Sequence, residues 1–136
     1  MGDYKTSYNQ LNTAEKFVFA ANPFVVGRVH DNANKALAEA RKRFPAASLH
    51  NGEGDAFRHC YWSALMTRDI GFLNTKTITD AHENFEGNPD DEKTMDLHNN
   101  LQGIMIGLGN KRASDKELGD LCEKALRAGR LKVINR

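Results

Sequence analysis

Hydrophobic residues recur along most of the chain at intervals of three and four, which is the spacing of one face of an α-helix. Capping boxes at residues 12–15 and 114–117, together with breaks at proline or glycine, mark where helices begin and end. These features predict helices over about residues 16–21, 23–43, 54–69, 74–85, 90–107 and 115–129. Residues 1–11 are polar and are predicted to form a short lead-in.

The stretch from Ala56 to Thr67 differs from the others because it is apolar around most of its circumference. On a helical projection Phe57 and Tyr61 point in one direction and Trp62 points almost the opposite way. A helix of this kind is buried, with other helices packed around it. We therefore predict an all-α fold, a compact bundle of five or six helices around a central helix at about residues 54–69. The chain is long enough for a single domain over 1–136, with a core at about 12–130.

The helix predicted over 90–107 carries two kinds of face. Its buried stripe is predicted to consist of apolar residues at helical spacing: Leu97, Leu101, Ile104 and Leu108. Gly103 and Gly107 lie beside that stripe, where the absence of a side chain lets another helix approach closely. This glycine face is therefore predicted to press against the central helix. At the end of the chain, residues 131–136 alternate in polarity as a short strand would.

The charge balance excludes several classes of protein. The formal net charge is +1, from 19 basic and 18 acidic residues, which provides no broad surface for nucleic acid or anionic lipid. The sequence has no transmembrane run, and its N-terminus lacks the apolar core of a signal peptide. We therefore expect a cytoplasmic protein, or one exported by a route without a signal peptide. Cys60 and Cys122 are expected to be buried thiols and not a disulfide.

Two pairs of polar side chains accompany the apolar faces. Asp55 and His59 are four residues apart at the start of the central helix, so they lie on one face within mutual reach. Asp96 and Asn100 have the same spacing on the helix that carries the two glycines. Because a buried carboxylate or imidazole is costly unless it is paired or bound to something, these four residues are predicted to form one cluster.

A divalent metal ion is one explanation for such a cluster. Helical bundles build metal sites from side chains on facing helices. Imidazole and carboxylate groups suit zinc or manganese, and an amide oxygen also suits a harder ion such as calcium. The candidate ligands come from three predicted helices and are Asp55, His59, His82, Asp96 and Asn100.

The same residues predict a type of chemistry. A bound metal ion would polarise a phosphoryl or carbonyl group and activate a water. His59 and Glu83 are the candidate acid–base groups, and Arg58 is the candidate anion clamp. The hypothesis is a metal-dependent hydrolase of unknown substrate, with an open cleft lined by Arg58 or Glu83. A metal-free enzyme would instead use His59 with Asp96 as an acid–base pair.

The alternative is a protein without catalytic activity. The polar cluster would then be a closed hydrogen-bonded network that fixes the register of the helices. The outer surface of the bundle would bind a protein partner through an exposed apolar patch. The aromatic residues available for that patch are Phe17, Phe19 and Phe24.

A set of motifs in this order resembles an uncharacterised all-helical domain family, over roughly residues 10–135. Its members occur in bacterial and phage-related proteins, including the C-terminal ends of polymorphic toxin-like proteins. The motifs are Asn51-Gly52, Asp55-Ala56-Phe57-Arg58-His59, Ala81-His82-Glu83 and Met95-Asp96-Leu97-His98-Asn99-Asn100 with Gly103. The resemblance implies that the recurring polar residues form a functional site. The toxin-like setting of similar domains implies a hydrolase that acts on a phosphodiester or a lipid.

Overall fold

The computed structural model describes residues 23–84 and 87–135. They form five α-helices: α1 (Pro23–Arg43), α2 (Glu53–Ile70), α3 (Phe72–Glu83), α4 (Asp90–Gly109) and α5 (Asp115–Arg127), with a 3-10 turn at Ala46–Ser48. Neither described range contains a strand, and the predicted all-α class is confirmed. The predicted lead-in and the helix predicted over 16–21 lie outside the described residues. Within the described ranges, no helix has the length and apolar character needed to cross a membrane.

Helix α2 is the centre of the bundle. Every residue from Gly54 to Thr67 is buried, and α4 and α1 form its largest interfaces, with α5 and α3 packed on the remaining sides. Phe57 and Trp62, which point in nearly opposite directions, are both almost completely inaccessible to solvent. Burial of each such side chain contributes roughly 1.5–3 kcal/mol. The prediction of a buried central helix is therefore confirmed.

Helices α2 and α4 approach each other closely at two glycines. A Cβ atom added at Gly103 would lie 2.0 Å from the carbonyl oxygen of Cys60, and one at Gly107 would lie 2.7 Å from that of Ala64. Real Cβ atoms do not come this close to backbone, so only glycine permits the observed spacing. The predicted contact of the glycine face with the central helix is confirmed, and it places His59, beside Cys60, opposite α4.

The leucine stripe predicted for α4 is wrong in part. Ile104 is buried, but Leu101 is 43% exposed and Leu108 is 39% exposed. Because the glycines bring α4 against α2, the small and polar residues beside them occupy the interface, and the leucines are left at its edge. The buried residues of α4 are Met95, Asp96, Asn99, Asn100, Gly103, Ile104 and Gly107.

The strand predicted at the end of the chain is also wrong. Residues 131–135 are irregular, and they are fixed to the bundle individually. The side chain of Leu131 is buried in the core, and the backbone N–H groups of Ile134 and Asn135 donate to the carbonyl oxygen of Asn51 at 3.2 and 2.8 Å. The alternation of polar and apolar residues arises because Leu131, Val133 and Ile134 pack on the bundle individually, and no partner strand is present among the described residues.

The other helices predicted within the described residues agree with the structure except at their ends. Helix α3 begins at Phe72, two residues before the predicted start, because Gly71 reverses the chain at once with φ of 86°. Glycine adopts this positive φ without steric cost. Helix α4 continues two residues past its predicted end, to Gly109. Cys60 and Cys122 are free and buried, as predicted.

The capping box of α5 is formed as the sequence predicts. The Ser114 hydroxyl accepts from the Glu117 backbone N–H at 3.1 Å, and the Glu117 carboxylate accepts from the Ser114 N–H at 3.3 Å. We expect Ser114→Ala to lower the free energy of unfolding by about 1 kcal/mol, because a helix-end N–H loses its acceptor. Chemical denaturation measures the loss, and Glu117→Gln, which retains the acceptor oxygen, is the control with a smaller effect.

Candidate metal centre

Three helices bring four ionisable side chains to one point inside the bundle. Asp55 and His59 lie one turn apart near the start of α2, Glu83 is the last residue of α3, and Asp96 lies in the second turn of α4. All four are fully buried. The close packing of α2 on α4 and the short connection from α2 to α3 produce this convergence.

His59 is at the centre of the cluster, with carboxylates on both sides of its ring. Its Nδ1 lies 3.2 Å from Oδ1 of Asp55 and 3.0 Å from the Asp55 carbonyl oxygen. On the other side, Nε2 lies 3.4 Å from Oε2 of Glu83 and 3.4 Å from Oδ1 of Asp96. Three acidic groups therefore surround one imidazole in a region without solvent.

Asp55 is held firmly in place. Nη2 of Arg58 donates to its Oδ1 at 3.0 Å, and the backbone N–H of Asn51 donates to its Oδ2 at 2.8 Å. Such donors stabilise the ionised carboxylate. Burial alone would raise the pKa of Asp55, but His59 and Arg58 outweigh this effect and hold the pKa well below its usual range. Asp55 is therefore ionised at neutral pH and fixes the orientation of His59.

The carboxylates on the Nε2 side of His59 are incompletely satisfied. Among the described residues, no N–H or hydroxyl group donates to either oxygen of Asp96 or to Oε1 of Glu83. The two carboxyl groups instead face each other, and a hydrogen bond between them requires that one of the two is protonated. Nε2 of His59 is close enough to Oδ1 of Asp96 for an ion pair, but the two atoms do not have hydrogen-bond geometry. The other oxygen of Glu83 accepts from Nδ2 of Asn100 at 3.4 Å, which is a long bond. Buried polar atoms normally have partners, and on this side of the cluster the single positive charge of His59 is shared between two carboxyl groups.

Burial and the crowding of three carboxyl groups around one imidazole shift the pKa values of the cluster. Burial raises the pKa of Asp96, and the nearby carboxylates of Glu83 and Asp55 add to the effect, so that it reaches about 7 despite the opposing influence of His59. Burial alone would lower the pKa of His59, but Asp96, Asp55 and Glu83 raise it to about 10. Burial would likewise raise the pKa of Glu83, yet contact with His59 leaves it below its usual value.

The structure brings together most of the candidate residues, but His82 takes a different position. The His82 ring packs edge-on against Trp62, with 5.4 Å between ring centroids, and it is not among the groups around His59. Its neighbour Glu83 occupies that place. Arg58 lies on the Asp55 side of the cluster, where it pairs with that carboxylate. Asn100 lies behind Glu83 and contributes a hydrogen bond to it.

Four further residues support the cluster: Asn51 and Asn99 belong to the motifs quoted above, whereas Ser63 and Glu92 were not singled out from the sequence. Asn51 has φ of 61°, and its side-chain nitrogen donates to Oε1 of Glu92 at 2.9 Å. Ser63 donates to Oδ1 of Asn100 at 3.3 Å, and Asn99 holds the backbone N–H and carbonyl of Lys132 at 2.8 Å each. A signal for Asn51 was present, since an Asp at the third position of a helix reaches back to backbone N–H groups before it.

A comparison with protein families identifies the family of the chain. A family model described as a domain of unknown function, DUF6973, matches residues 16–130. The chain belongs to this family. The matched range includes every residue of the cluster and the glycine contact of α2 with α4. No solved structure matches the chain.

The donor atoms of this DUF6973 domain fit a divalent cation. One ligand atom each from Asp55, His59 and Asp96 lies within 4.8 Å of the others, and carboxylate oxygens of both Asp96 and Glu83 lie 3.4 Å from Nε2 of His59. A set of one nitrogen and several carboxylate oxygens suits zinc or manganese. Calcium prefers six or more oxygen ligands, so the imidazole makes calcium the least suitable of the three ions.

Proposed function

We propose that the chain is a hydrolase that depends on a divalent metal ion held by the cluster around His59. The observation that carries this proposal is the set of fully buried carboxylate oxygens on Asp96 and Glu83 to which no described N–H or hydroxyl group donates. A closed structural network would give each of these oxygens a donor. A cation at this point would neutralise the negative charge that remains after Arg58 and His59 have paired with the three carboxyl groups.

The residues divide naturally between ligands and supporting groups. Nε2 of His59, Asp96 and Glu83 would hold the ion, and zinc or manganese is the expected metal. Asp55 also has an oxygen within 4.8 Å of the ligand atoms of His59 and Asp96, but its two oxygens already accept from Arg58 and Asn51. Asp55 would orient His59 through Nδ1, in the manner of the carboxylates that support metal-bound histidines. Arg58 and the backbone of Asn51 would in turn fix Asp55. When bound, the ion polarises a phosphoryl or carbonyl oxygen and lowers the pKa of water.

The position of Asn100 supports access to the cluster. Asn100 donates to Glu83, and it also lines a surface groove between α3 and α4. The sequence predicted a cleft lined by Arg58 or Glu83. Neither residue lines the groove, because both side chains face the cluster. Asn100 is 1% exposed, and it belongs both to the groove wall and to the hydrogen bonds of the cluster. Ser63, which donates to Oδ1 of Asn100, holds that side chain in place.

The resemblance described above favours a phosphodiester or a lipid as the substrate. Similar domains occur at the C-terminal ends of polymorphic toxin-like proteins, a setting that favours a hydrolytic activity of this kind. Both substrate classes present an anionic phosphoryl group or a polarised carbonyl, and a buried divalent ion activates either one.

The first test is the metal content of the purified protein, measured by mass spectrometry. We expect close to one equivalent of zinc or manganese, and loss of the metal in His59→Ala and Asp96→Ala. His98→Ala is the matched control, since His98 is exposed on α4 and its Nε2 contacts the carbonyl of Arg130, outside the cluster. A protein that takes up no metal after incubation with zinc, manganese or calcium would contradict the proposal.

A non-enzymatic protein-binding module is the second candidate. Exposed apolar side chains favour it: Phe24 is 73% exposed, Leu73 is 75% exposed and Met105 is 58% exposed. Phe17 and Phe19, the other residues predicted for this surface, lie outside the described residues. The metal measurement separates the two functions, because a binding module has no need for a metal that disappears with His59.

A further inference from the structure

A groove of about 700 Å³ runs along the surface between α3 and α4. Its volume lies in the range of small-molecule sites. The side chains of Ala81, Leu97, Leu101 and Ile104 form an apolar lining, and lysines from both helices stand among the polar residues of its rim. Leu97 and Leu101 lie here because α4 presents its glycine face to α2.

The positive charge of the groove is concentrated at one end. Nζ of Lys93 donates to the neutral Oδ1 of Asn84 at 3.1 Å, and no described carboxylate forms an ion pair with Lys93. The second lysine, Lys76, is already paired with Asp80. The groove therefore has one cationic end, at Lys93, and an apolar lining that extends away from it along α4.

The cationic end is also the end beside the metal centre. Asn84 directly follows Glu83 in the chain, and Lys93 lies one turn before Asp96 and Leu97. Asn100 forms part of the groove wall and donates to Glu83. An anionic group held at Lys93 and Asn84 would thus lie next to the cluster, with the apolar side chains of Leu97, Leu101 and Ile104 beyond it.

We propose that the groove binds a single-chain amphiphile with an anionic phosphate-ester head. The head contacts Lys93 and Asn84, and the hydrocarbon chain lies along Leu97, Leu101 and Ile104. From Lys93 to Ile104 the helix advances about 16 Å, which accommodates an extended chain of roughly twelve carbons. If the amphiphile is the substrate, this inference rests on the proposed function. It then specifies the substrate as a lipid whose phosphate ester lies beside the ion.

The test is calorimetric titration of the purified protein with dodecylphosphonate, which has the anionic head and the chain but no ester bond. Concentrations are kept below those at which micelles form. Two further probes separate the contributions: methylphosphonate lacks the chain, and dodecyltrimethylammonium has the chain with a cationic head. We expect saturable binding of dodecylphosphonate and at least roughly tenfold weaker binding of the other two, because one group is lost or reversed in each.

Four variants locate the site. Leu101→Gln and Lys93→Gln are each expected to weaken dodecylphosphonate binding roughly fivefold, through lost apolar contact and lost charge. Met105→Gln, one turn along the same helix face and exposed, and Lys124→Gln, exposed on α5, are the matched controls and should leave binding unchanged. Thermal unfolding of all four checks that they remain folded.

The outcomes separate this inference from the proposed function. Equal binding of the cationic and anionic amphiphiles, or equal effects of the groove and control variants, would overturn the groove as an anionic-amphiphile site. Metal content of the same preparation is measured independently. Metal present without dodecylphosphonate binding contradicts only the amphiphile, whereas dodecylphosphonate binding without metal contradicts only the hydrolase.

Discussion

Replacement of Gly103 by alanine is expected to destabilise the protein by about 3 kcal/mol or more. The new Cβ would lie 2.0 Å from the carbonyl oxygen of Cys60 and 2.8 Å from its carbonyl carbon. Both atoms belong to the backbone of the central helix, so α4 must move as a whole. Overpacking that side chains can relieve costs roughly 1–3 kcal/mol, and a backbone clash is more severe. Denaturant unfolding measures the loss.

Gly27→Ala is the matched control for this substitution. Gly27 lies inside α1, and a Cβ there would have no neighbour within 4 Å. Alanine in a helix interior is more favourable than glycine by about 0.5–1 kcal/mol, so this variant should gain stability. The Gly103 variant should also lose metal, because displacement of α4 carries Asp96 away from His59. A stable Gly103→Ala protein would show that the interface between α2 and α4 is looser than described.

The unfolding free energy of the metal-free protein is expected to fall as the pH is raised from about 6.5 to about 10. His59 has a pKa of about 10 in the folded protein, against an ordinary value of 6.5. The folded state therefore holds more protons in this window, and stability decreases with rising pH. The contribution is fully present below pH 6.5 and is lost above about pH 10. A pKa shift of this size corresponds to roughly 3–5 kcal/mol.

His59→Gln tests whether this pH dependence belongs to His59. The variant should be less stable at pH 6 and should lack most of the decline, since glutamine does not titrate. Raised pKa values of Tyr61 and Cys122 affect both proteins alike. Asp96 has a pKa of about 7 that depends on His59, so Asp96→Asn is added to both proteins to remove its titration from the comparison. Saturating zinc should reduce the decline in the unmodified protein, because the bound ion replaces the His59 proton. An equal decline in the variant would mean that other groups cause it.

The fold was predictable because its signals are local. Spacing of apolar residues, the capping box at Ser114 and the turn at Gly71 specify helices independently of what packs on them. The all-round apolar character of residues 56–67 also predicted which helix is central. Leu101 and Leu108 were predicted wrongly because periodicity shows that residues share a face but not which face is buried. The glycines, which allow the closest contact, determine that.

For the cluster, the sequence predicted which helices meet but not every side chain that lies between them. The i,i+4 pairs Asp55–His59 and Asp96–Asn100 indicated two faces that converge. The choice between His82 and Glu83 depends on the rotation of α3 about its axis, and the turn at Gly71 sets that rotation. The cationic end of the groove was not predictable either, because it arises from the contact of Asn84 with Lys93 across the turn between two helices.

The backbone donors at Ile134 and Asn135 have a consequence for the order in which this protein forms during synthesis. They bind the carbonyl of Asn51, whose own N–H holds Asp55. The helices that carry His59, Glu83 and Asp96 emerge from the ribosome earlier. The loop that orients Asp55 gains its last contacts only after residues 134 and 135 have also emerged. A nascent chain should therefore collapse into a helical bundle before the loop that orients Asp55 and His59 is complete.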